Sequence, residues 1–154
     1  MFEEANAVLR ESKQPFIAVI QTAGNHRPYT IPEDNRGFEV RDVSATDVAP
    51  YGFRSVADYN SFRFMDHSLG VFLKQLENED YARNTIFVFF GDHGIHAPTG
   101  KHTPNSEEQL RISGLRVPLV MYGKGIIQEP EMFDKVASQV DALPTIADLA
   151  QTSY

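Results

Sequence analysis

The part of this chain best equipped for chemistry is an Asp-His pair that directly follows an apolar run. Ile86–Phe90 are all apolar, and they lead into Gly91, Asp92, His93 and Gly94. A carboxylate oxygen and an imidazole nitrogen are both common metal ligands. The pair therefore indicates a metal site. An Asp-His turn in which the histidine is only hydrogen-bonded has the same sequence, so that alternative stays open.

The apolar run predicts a strand that is buried on both faces, as in a parallel sheet covered by helices. The pair then falls at the carboxyl end of this strand, where open α/β sheets bind ligands. Because neighbouring side chains of a regular strand point to opposite faces, Asp92 and His93 can share a metal only if the backbone bends. We expect Gly91 and Gly94 to permit that bend, since glycine reaches dihedral angles that other residues avoid.

A second candidate, His26, follows another apolar run. Residues 16–23 predict a buried strand that ends at Gly24, two residues before the histidine. If this strand is parallel to the one before Asp92, His26 reaches the same edge of the sheet as the Asp-His pair. A solvated turn histidine is the alternative. Three more residues could bind a metal or an anion, or could simply lie on the surface: His96, Lys101 and His102.

Two helices and a long, partly irregular segment are predicted in the first half of the chain. Apolar residues at helical spacing predict a helix over residues 2–12, and Ser55 predicts the N-cap of a long helix that ends near residue 78. Residues 25–54 are rich in Pro, Asp, Arg and Gly, without a sustained period. Segments of that length tend to be functional or disordered.

The second half predicts a further strand over residues 116–122, with Pro118 near its start. Ser106 predicts the cap of a short helix, and Asp141 predicts the cap of a last helix over residues 142–151. Strands that alternate with helices favour an α/β fold with a mostly parallel sheet.

The composition excludes several classes of protein. The 154 residues suit one domain, and a hydrophobic content of 42% is enough for a core. A net charge of −7 argues against nucleic-acid binding as the main role. The absence of cysteine excludes a disulfide framework and a cysteine-based zinc site. No stretch approaches the roughly 18 apolar residues of a transmembrane helix.

Several stretches together resemble a known family, the lipoteichoic acid synthases and related phosphoglycerol transferases of the alkaline phosphatase superfamily. The likeness is to the carboxyl-terminal half of their sulfatase-like catalytic domain. It implies that residues 1–154 are that part of the domain, with part of a three-layer αβα sandwich whose sheet is mostly parallel. The stretches, in the family's order, are QTAGNHRPYTIP (21–32), YNSFRFMDHSLGVFLKQL (59–76), NTIFVFFGDHG (84–94), RVPLVMYGKG (116–125) and VASQVDALPTIADLA (136–150).

The resemblance implies a role for each matching residue. Asp92 and His93 match the two metal ligands that the family has in this half. They imply a divalent metal, Mn²⁺ in the first place, with Zn²⁺, Mg²⁺ or Ca²⁺ as alternatives. His26 matches the histidine of the NHxPF/NHxPY motif, which contacts the phosphate or head group of the substrate. Residues that correspond to further site residues of neighbouring families are His96, Lys101 and His102.

The resemblance also implies the activity of the parent enzyme. Such an enzyme transfers or hydrolyses a phosphoglycerol or similar phosphodiester group on a lipid- or glycan-linked substrate. It is anchored in a bacterial inner membrane and works on the extracytoplasmic face, with a phospholipid head group as its partner. No threonine of this chain follows the family's nucleophile motif, so we expect the chain by itself to be inactive. The alternatives are a sulfate-ester hydrolase and a non-catalytic binding or assembly module.

Overall fold

The computed structural model describes residues 1–13, 15–95 and 100–153. These ranges contain five α-helices, two strands and four short 3₁₀ turns. The helices are α1 (Phe2–Glu11), α2 (Ala45–Val48), α3 (Val56–Leu76), α4 (Asn105–Gln109) and α5 (Ala142–Leu149). The strands are β1 (Phe87–Phe90) and β2 (Leu119–Tyr122). The 3₁₀ turns are Ala49–Tyr51, Asp80–Asn84, Ile112–Gly114 and Gln139–Asp141. Within these ranges no helix combines the length and the apolar character needed to cross a membrane.

The two long predicted helices are confirmed as α1 and α3. Ser55 caps α3 as expected, because its Oγ accepts a hydrogen bond from the backbone N–H of Asp58 at 3.0 Å. The helix α5 begins at Ala142, but the Asp141 carboxylate does not cap it. That carboxylate instead accepts a hydrogen bond from the backbone N–H of Ser138 at 2.8 Å. The helix α4 begins at Asn105, so Ser106 lies inside the helix rather than at its cap.

The sheet differs from the predicted one, because β1 and β2 are antiparallel. Phe87 lies opposite Tyr122, and Phe90 lies opposite Leu119. A parallel pair needs a crossover that carries the chain back along the whole strand. Between β1 and β2 the described residues, 91–95 and 100–118, form only the one-turn helix α4 and a 3₁₀ turn, and β2 starts at the end where β1 finishes. The described ranges therefore contain no parallel strand pair, and the parallel αβα sandwich is not seen in them.

The strand predicted over residues 16–23 is also not formed. This segment has no regular secondary structure and no strand partner among the described residues, and Ile17 and Val19 are about nine-tenths exposed. Branched apolar side chains favour a strand only where a neighbouring strand supplies hydrogen bonds and packing. The strand β1 departs from its prediction as well, since its side chains are only half-buried and Phe90 is exposed.

The hydrophobic core joins α1, the second half of α3 and β1. Leu9, Phe72, Leu76 and Tyr81 are buried in this core. The Phe72 ring stacks on the Phe2 ring of α1 at 5.1 Å, and it meets the Phe87 ring of β1 edge-on at 6.1 Å. This packing fixes β1 against the helices and so positions the strand end that carries Asp92.

The first half of α3 fastens the irregular segment with buried polar side chains. Asn60 accepts a hydrogen bond from the Arg41 backbone N–H at 2.9 Å and donates one to the Arg41 carbonyl at 3.0 Å. Ser61 Oγ donates to the carbonyl of Gly24. Because both side chains are almost completely buried, these bonds are shielded from water. They hold the segment around Arg41 and the turn before His26 on the helix.

A buried carboxylate, that of Glu79, ties α1 to the start of the 3₁₀ turn Asp80–Asn84 that follows α3. Glu79 accepts a hydrogen bond from Arg10 Nε at 3.0 Å and a second bond from Arg10 Nη2. It also accepts one from Asn6 Nδ2 at 3.0 Å, and Tyr81 donates its hydroxyl proton to Asn6 Oδ1 at 2.6 Å. The hydrogen bonds from Arg10, followed by those from Asn6, hold the pKa of Glu79 below its ordinary value. Burial raises the pKa of Tyr81.

We expect the substitution Glu79→Gln to lower the free energy of unfolding by about 1–3 kcal/mol at pH 7, the range for a hydrogen-bonded charged group. The depressed pKa of Glu79 gives stability that is present above about pH 4.3, the unfolded value, and is lost as the pH falls through the folded pKa. Urea denaturation at several pH values measures both effects. The exposed neighbour Glu77→Gln is the control, and equal stability of the two variants would contradict the assignment.

Candidate functional site

The Asp-His pair forms a tight turn directly after β1. The backbone N–H of His93 donates to Asp92 Oδ1 at 2.9 Å. His93 Nδ1 lies 2.8 Å from the carbonyl oxygen of Gly94, so this nitrogen is the donor and carries the proton. In the neutral ring Nε2 is then left with a free lone pair. Nε2 lies 3.7 Å from Asp92 Oδ2, and both side chains are largely exposed.

Gly91 and Gly94 do not have the unusual dihedral angles that the sequence predicts for them. Neither Gly91 nor Gly94 has a φ angle in the left-handed region. Gly94 is instead required by space, because a Cβ atom there would lie 1.9 Å from the carbonyl oxygen of Ser113. The N–H of Gly94 also donates to the Gly114 carbonyl at 2.9 Å. Close approach of the 112–114 turn, rather than an unusual dihedral angle, therefore selects glycine at position 94.

Asp92 Oδ2 and His93 Nε2 lie close enough together to bind one metal ion. Ligand atoms bind metals such as zinc at about 2.0–2.2 Å, so two atoms less than roughly 4.2 Å apart can bind the same ion. The 3.7 Å between His93 Nε2 and Asp92 Oδ2 satisfies this limit. A histidine ligand usually donates its other N–H to a carbonyl or carboxylate, as His93 does to Gly94. Among the described residues, however, no group of three or more His, Asp or Glu side chains is arranged around one point.

His26 lies in a turn that exposes its imidazole. Its Nδ1 is 2.8 Å from the carbonyl oxygen of Arg27, and its own carbonyl accepts the N–H of Tyr29 at 3.0 Å. The peptide bond between Arg27 and Pro28 is cis. As in His93, the other ring nitrogen, Nε2, makes no hydrogen bond to the described residues. No hydrogen bond or ion pair within the described ranges joins His26 to the Asp-His pair, and the parallel strands expected to bring them together are not formed.

Lys101 and His102 both lie against Tyr51, at the end of a 3₁₀ turn. The Lys101 backbone N–H donates to the carbonyl of Pro50 at 2.7 Å, and its ammonium lies 4.5 Å from the centroid of the Tyr51 ring. The His102 ring centroid is 6.1 Å from that of Tyr51. Both predicted site residues therefore lie on the same tyrosine, Tyr51. The third, His96, lies outside the described residues.

Two functional candidates that sequence reasoning missed are Tyr51 and Arg54. Arg54 Nη2 donates to the hydroxyl of Tyr29 at 3.0 Å, so it contacts the turn that holds His26. Tyr51, three residues earlier, contacts Lys101. The short segment between them therefore links the two parts of the chain that carry the predicted substrate-binding residues. Nothing in the spacing of residues 25–54 signals this, because the contacts arise from an irregular segment without a period.

Known proteins resemble the chain over nearly its whole length. It is 31% identical to the lipoteichoic acid synthase-like protein YvgJ of Bacillus subtilis, over 96% of this chain and 24% of that protein. It is 26% identical to lipoteichoic acid synthase 2 of the same organism, over 96% of this chain and 22% of that protein. An arylsulfatase of Clostridium perfringens is 30% identical over 79% of this chain and 26% of its own length. The chain thus spans about a quarter of the length of these relatives. No solved structure matches it.

A protein-family match covers nearly the whole chain. Residues 1–152 match the family described as Sulfatase. Members of this family are enzymes, transferases as well as hydrolases, and the family implies an α/β fold of the alkaline phosphatase type. The lipoteichoic acid synthase-like relatives agree with that superfamily, so the resemblance noted in the sequence is confirmed. The chain belongs to the sulfatase family.

Proposed function

We propose that this chain supplies two metal ligands and part of the substrate-binding surface for transfer or hydrolysis of a phosphoglycerol or similar phosphodiester group. The observation that carries the proposal is the geometry of Asp92 and His93. Among the described residues no hydrogen bond occupies Asp92 Oδ2 or His93 Nε2, these two atoms are 3.7 Å apart, and the other nitrogen of the imidazole is held by the Gly94 carbonyl. The relatives named lipoteichoic acid synthases favour a phosphoglycerol substrate.

In this proposal Asp92 and His93 hold a divalent metal, with Mn²⁺ preferred over Zn²⁺, Mg²⁺ or Ca²⁺. When bound, such an ion neutralises charge on the phosphate and lowers the pKa of the attacking group. The hydrogen bond from His93 Nδ1 to Gly94 keeps Nε2 as the coordinating atom. The hydrogen bond from the His93 N–H keeps one Asp92 oxygen turned back to the chain and leaves the other free.

The substrate phosphate would be bound by the cationic and polar groups on the surface around Tyr51. His26 offers Nε2, which donates to a phosphate oxygen when it is protonated and can pass that proton to the leaving group. Lys101 and His102 approach from the neighbouring loop. Arg54 presents a planar guanidinium group that is suited to phosphate oxygens. Its contact with Tyr29 OH holds it beside the turn of His26.

The remaining parts of the proposal concern the intact enzyme. The resemblance assigns a threonine nucleophile and a further carboxylate ligand to residues outside these 154, so we expect the chain by itself not to turn over substrate. The parent would be membrane-anchored and would act outside the cytoplasm on a lipid- or glycan-linked substrate. If the parent lacks the nucleophile, the same surface would serve as a binding or assembly module.

A sulfate ester is the second candidate substrate. The arylsulfatase of Clostridium perfringens is nearly as similar to this chain as the synthase-like relatives are. A sulfate monoester and a phosphodiester each carry one negative charge on a tetrahedral centre. The cationic groups of this surface would therefore bind either one, and only a direct comparison of ligands separates the two proposals.

We expect glycerophosphoglycerol, a phosphodiester with one negative charge, to shift the ring resonances of His26 more than methyl sulfate does. NMR titration of the chain labelled with ¹³C-histidine measures this directly. His26→Gln removes a charge-assisted hydrogen bond, so the apparent affinity for glycerophosphoglycerol should fall by about tenfold or more. His67→Gln is the matched control, because His67 lies on α3 and its Nε2 is hydrogen-bonded to the carbonyl of Arg36. A larger response to methyl sulfate would favour the sulfatase alternative, and an unchanged affinity in His26→Gln would exclude His26 from the site.

A further inference from the structure

The side chain of Gln139 reaches across to the strand end that carries Asp92. Its Nε2 donates to the carbonyl oxygen of Gly91 at 2.6 Å and to the carbonyl oxygen of Asp92 at 3.0 Å. The two partners are 48 and 47 residues away in the chain. A single amide group thus bridges the two carbonyls on either side of the Asp92 α-carbon. Rotation of the backbone at Asp92 would break at least one of the two bonds.

Gln139 is itself held by its local structure. It begins the 3₁₀ turn that precedes α5, and this turn is closed by a capping box between Ser138 and Asp141. The Asp141 carboxylate accepts the Ser138 N–H at 2.8 Å, and the Asp141 N–H donates to the carbonyl of Ser138 at 2.9 Å. Thr145 Oγ1 then donates to the carbonyl of Asp141 at 2.6 Å, which joins the turn to α5. The amide of Gln139 is therefore presented from an ordered turn.

We infer that Gln139 is a positioning residue for the Asp92-His93 pair. The pair lies in an exposed turn, and the hydrogen bonds that its two side chains make with described residues are local, between residues 92 and 94. Fixing the Asp92 backbone from a distant segment limits where Oδ2 can lie relative to His93 Nε2. This role rests on the proposed function, since it matters only if the pair binds a metal. Gln139 would act on the site through the Asp92 backbone, without contact with the metal or the substrate.

The test compares Gln139→Met with the native chain. Methionine keeps the length and neutrality of glutamine but cannot donate hydrogen bonds. In the metal-free chain we expect the ¹⁵N order parameters of Asp92 and His93 to fall, and in Mn²⁺ titrations we expect an apparent affinity about five- to tenfold weaker, as for the loss of one or two hydrogen bonds. Gln128→Met, at an exposed glutamine, is the matched control.

The outcomes separate this inference from the proposal on which it rests. Order parameters and Mn²⁺ affinity that stay at native values in Gln139→Met would overturn the positioning role while leaving the metal site intact. Loss of order at Asp92 in a chain whose native form binds no Mn²⁺ would overturn the metal site and, with it, the positioning role. A fall in both quantities for Gln139→Met, with none for Gln128→Met, is the expected result.

Discussion

Replacing Gly94 with alanine is expected to lower the free energy of unfolding by about 3 kcal/mol, the upper part of the range for an overpacked site. The new Cβ would lie 1.9 Å from the carbonyl oxygen of Ser113 and 2.9 Å from that of Arg116. Both are backbone atoms, so no side-chain rotation can relieve the contact. The 112–114 turn must move away, which breaks the hydrogen bond from the Gly94 N–H to the Gly114 carbonyl.

Urea denaturation measures this loss, and Gly70→Ala is the matched control. Gly70 lies in α3, and a Cβ there would meet no atom within 4 Å. Alanine favours a helix over glycine by about 0.5–1 kcal/mol, so this control should gain stability. The two identical substitutions are thus expected to act in opposite directions. If Gly94→Ala proves as stable as the native chain, the 112–114 turn does not pack closely against Gly94, and this explanation of the glycine is wrong.

The helices could be predicted from sequence because their signals are local. The apolar spacing of α1 and α3 and the N-cap at Ser55 each depend on residues within one or two turns. The sheet could not be predicted in the same way. The apolar runs at 16–23 and 86–90 have similar composition, yet only the second forms a strand in the described residues, because only it meets a partner. Whether a run finds a partner is a long-range property.

The sequence also could not show why particular polar residues matter. The spacing of Asn60 and Ser61 gives no sign that they are buried, since they interrupt the apolar stripe of α3. They are buried because they bond to the backbone of an irregular segment, and the folding of that segment is not periodic. Gln139 is similar, because its partners lie 47 and 48 residues away.

A comparison within the chain shows what the Asp-His motif alone can establish. The same dipeptide occurs twice, as Asp66-His67 and as Asp92-His93. In α3 neighbouring side chains point in different directions, and His67 Nε2 is bonded to the carbonyl of Arg36. In the turn after β1 the two side chains face each other, and His93 Nε2 makes no hydrogen bond to any residue that the structure describes. The dipeptide indicates a candidate, and the local backbone decides which copy can bind a metal.

Removing either member of the Asp92-His93 pair is expected to have the largest functional effect of any substitution in the chain. Asp92→Asn replaces the negatively charged carboxylate ligand with a neutral amide. His93→Gln removes the imidazole nitrogen that would bind the metal. Each change should weaken metal binding by about tenfold or more. Loss of a residue that only hydrogen-bonds to a metal ligand already has an effect of about this size. Because the two donors act on one ion, the double variant should lose little more than the more severe single variant.

The most direct measurement is the selective broadening of backbone ¹⁵N–¹H resonances as Mn²⁺ is added to the chain. We predict that the resonances of residues 91–95 broaden first in the native chain, and that Asp92→Asn and His93→Gln each remove this effect. The variants Asp66→Asn and His67→Gln, which carry the same changes at the helical copy of the dipeptide, should leave the broadening in place. Broadening that begins elsewhere, or that persists at residues 91–95 in both Asp92→Asn and His93→Gln, would contradict the assignment of this pair as a metal site.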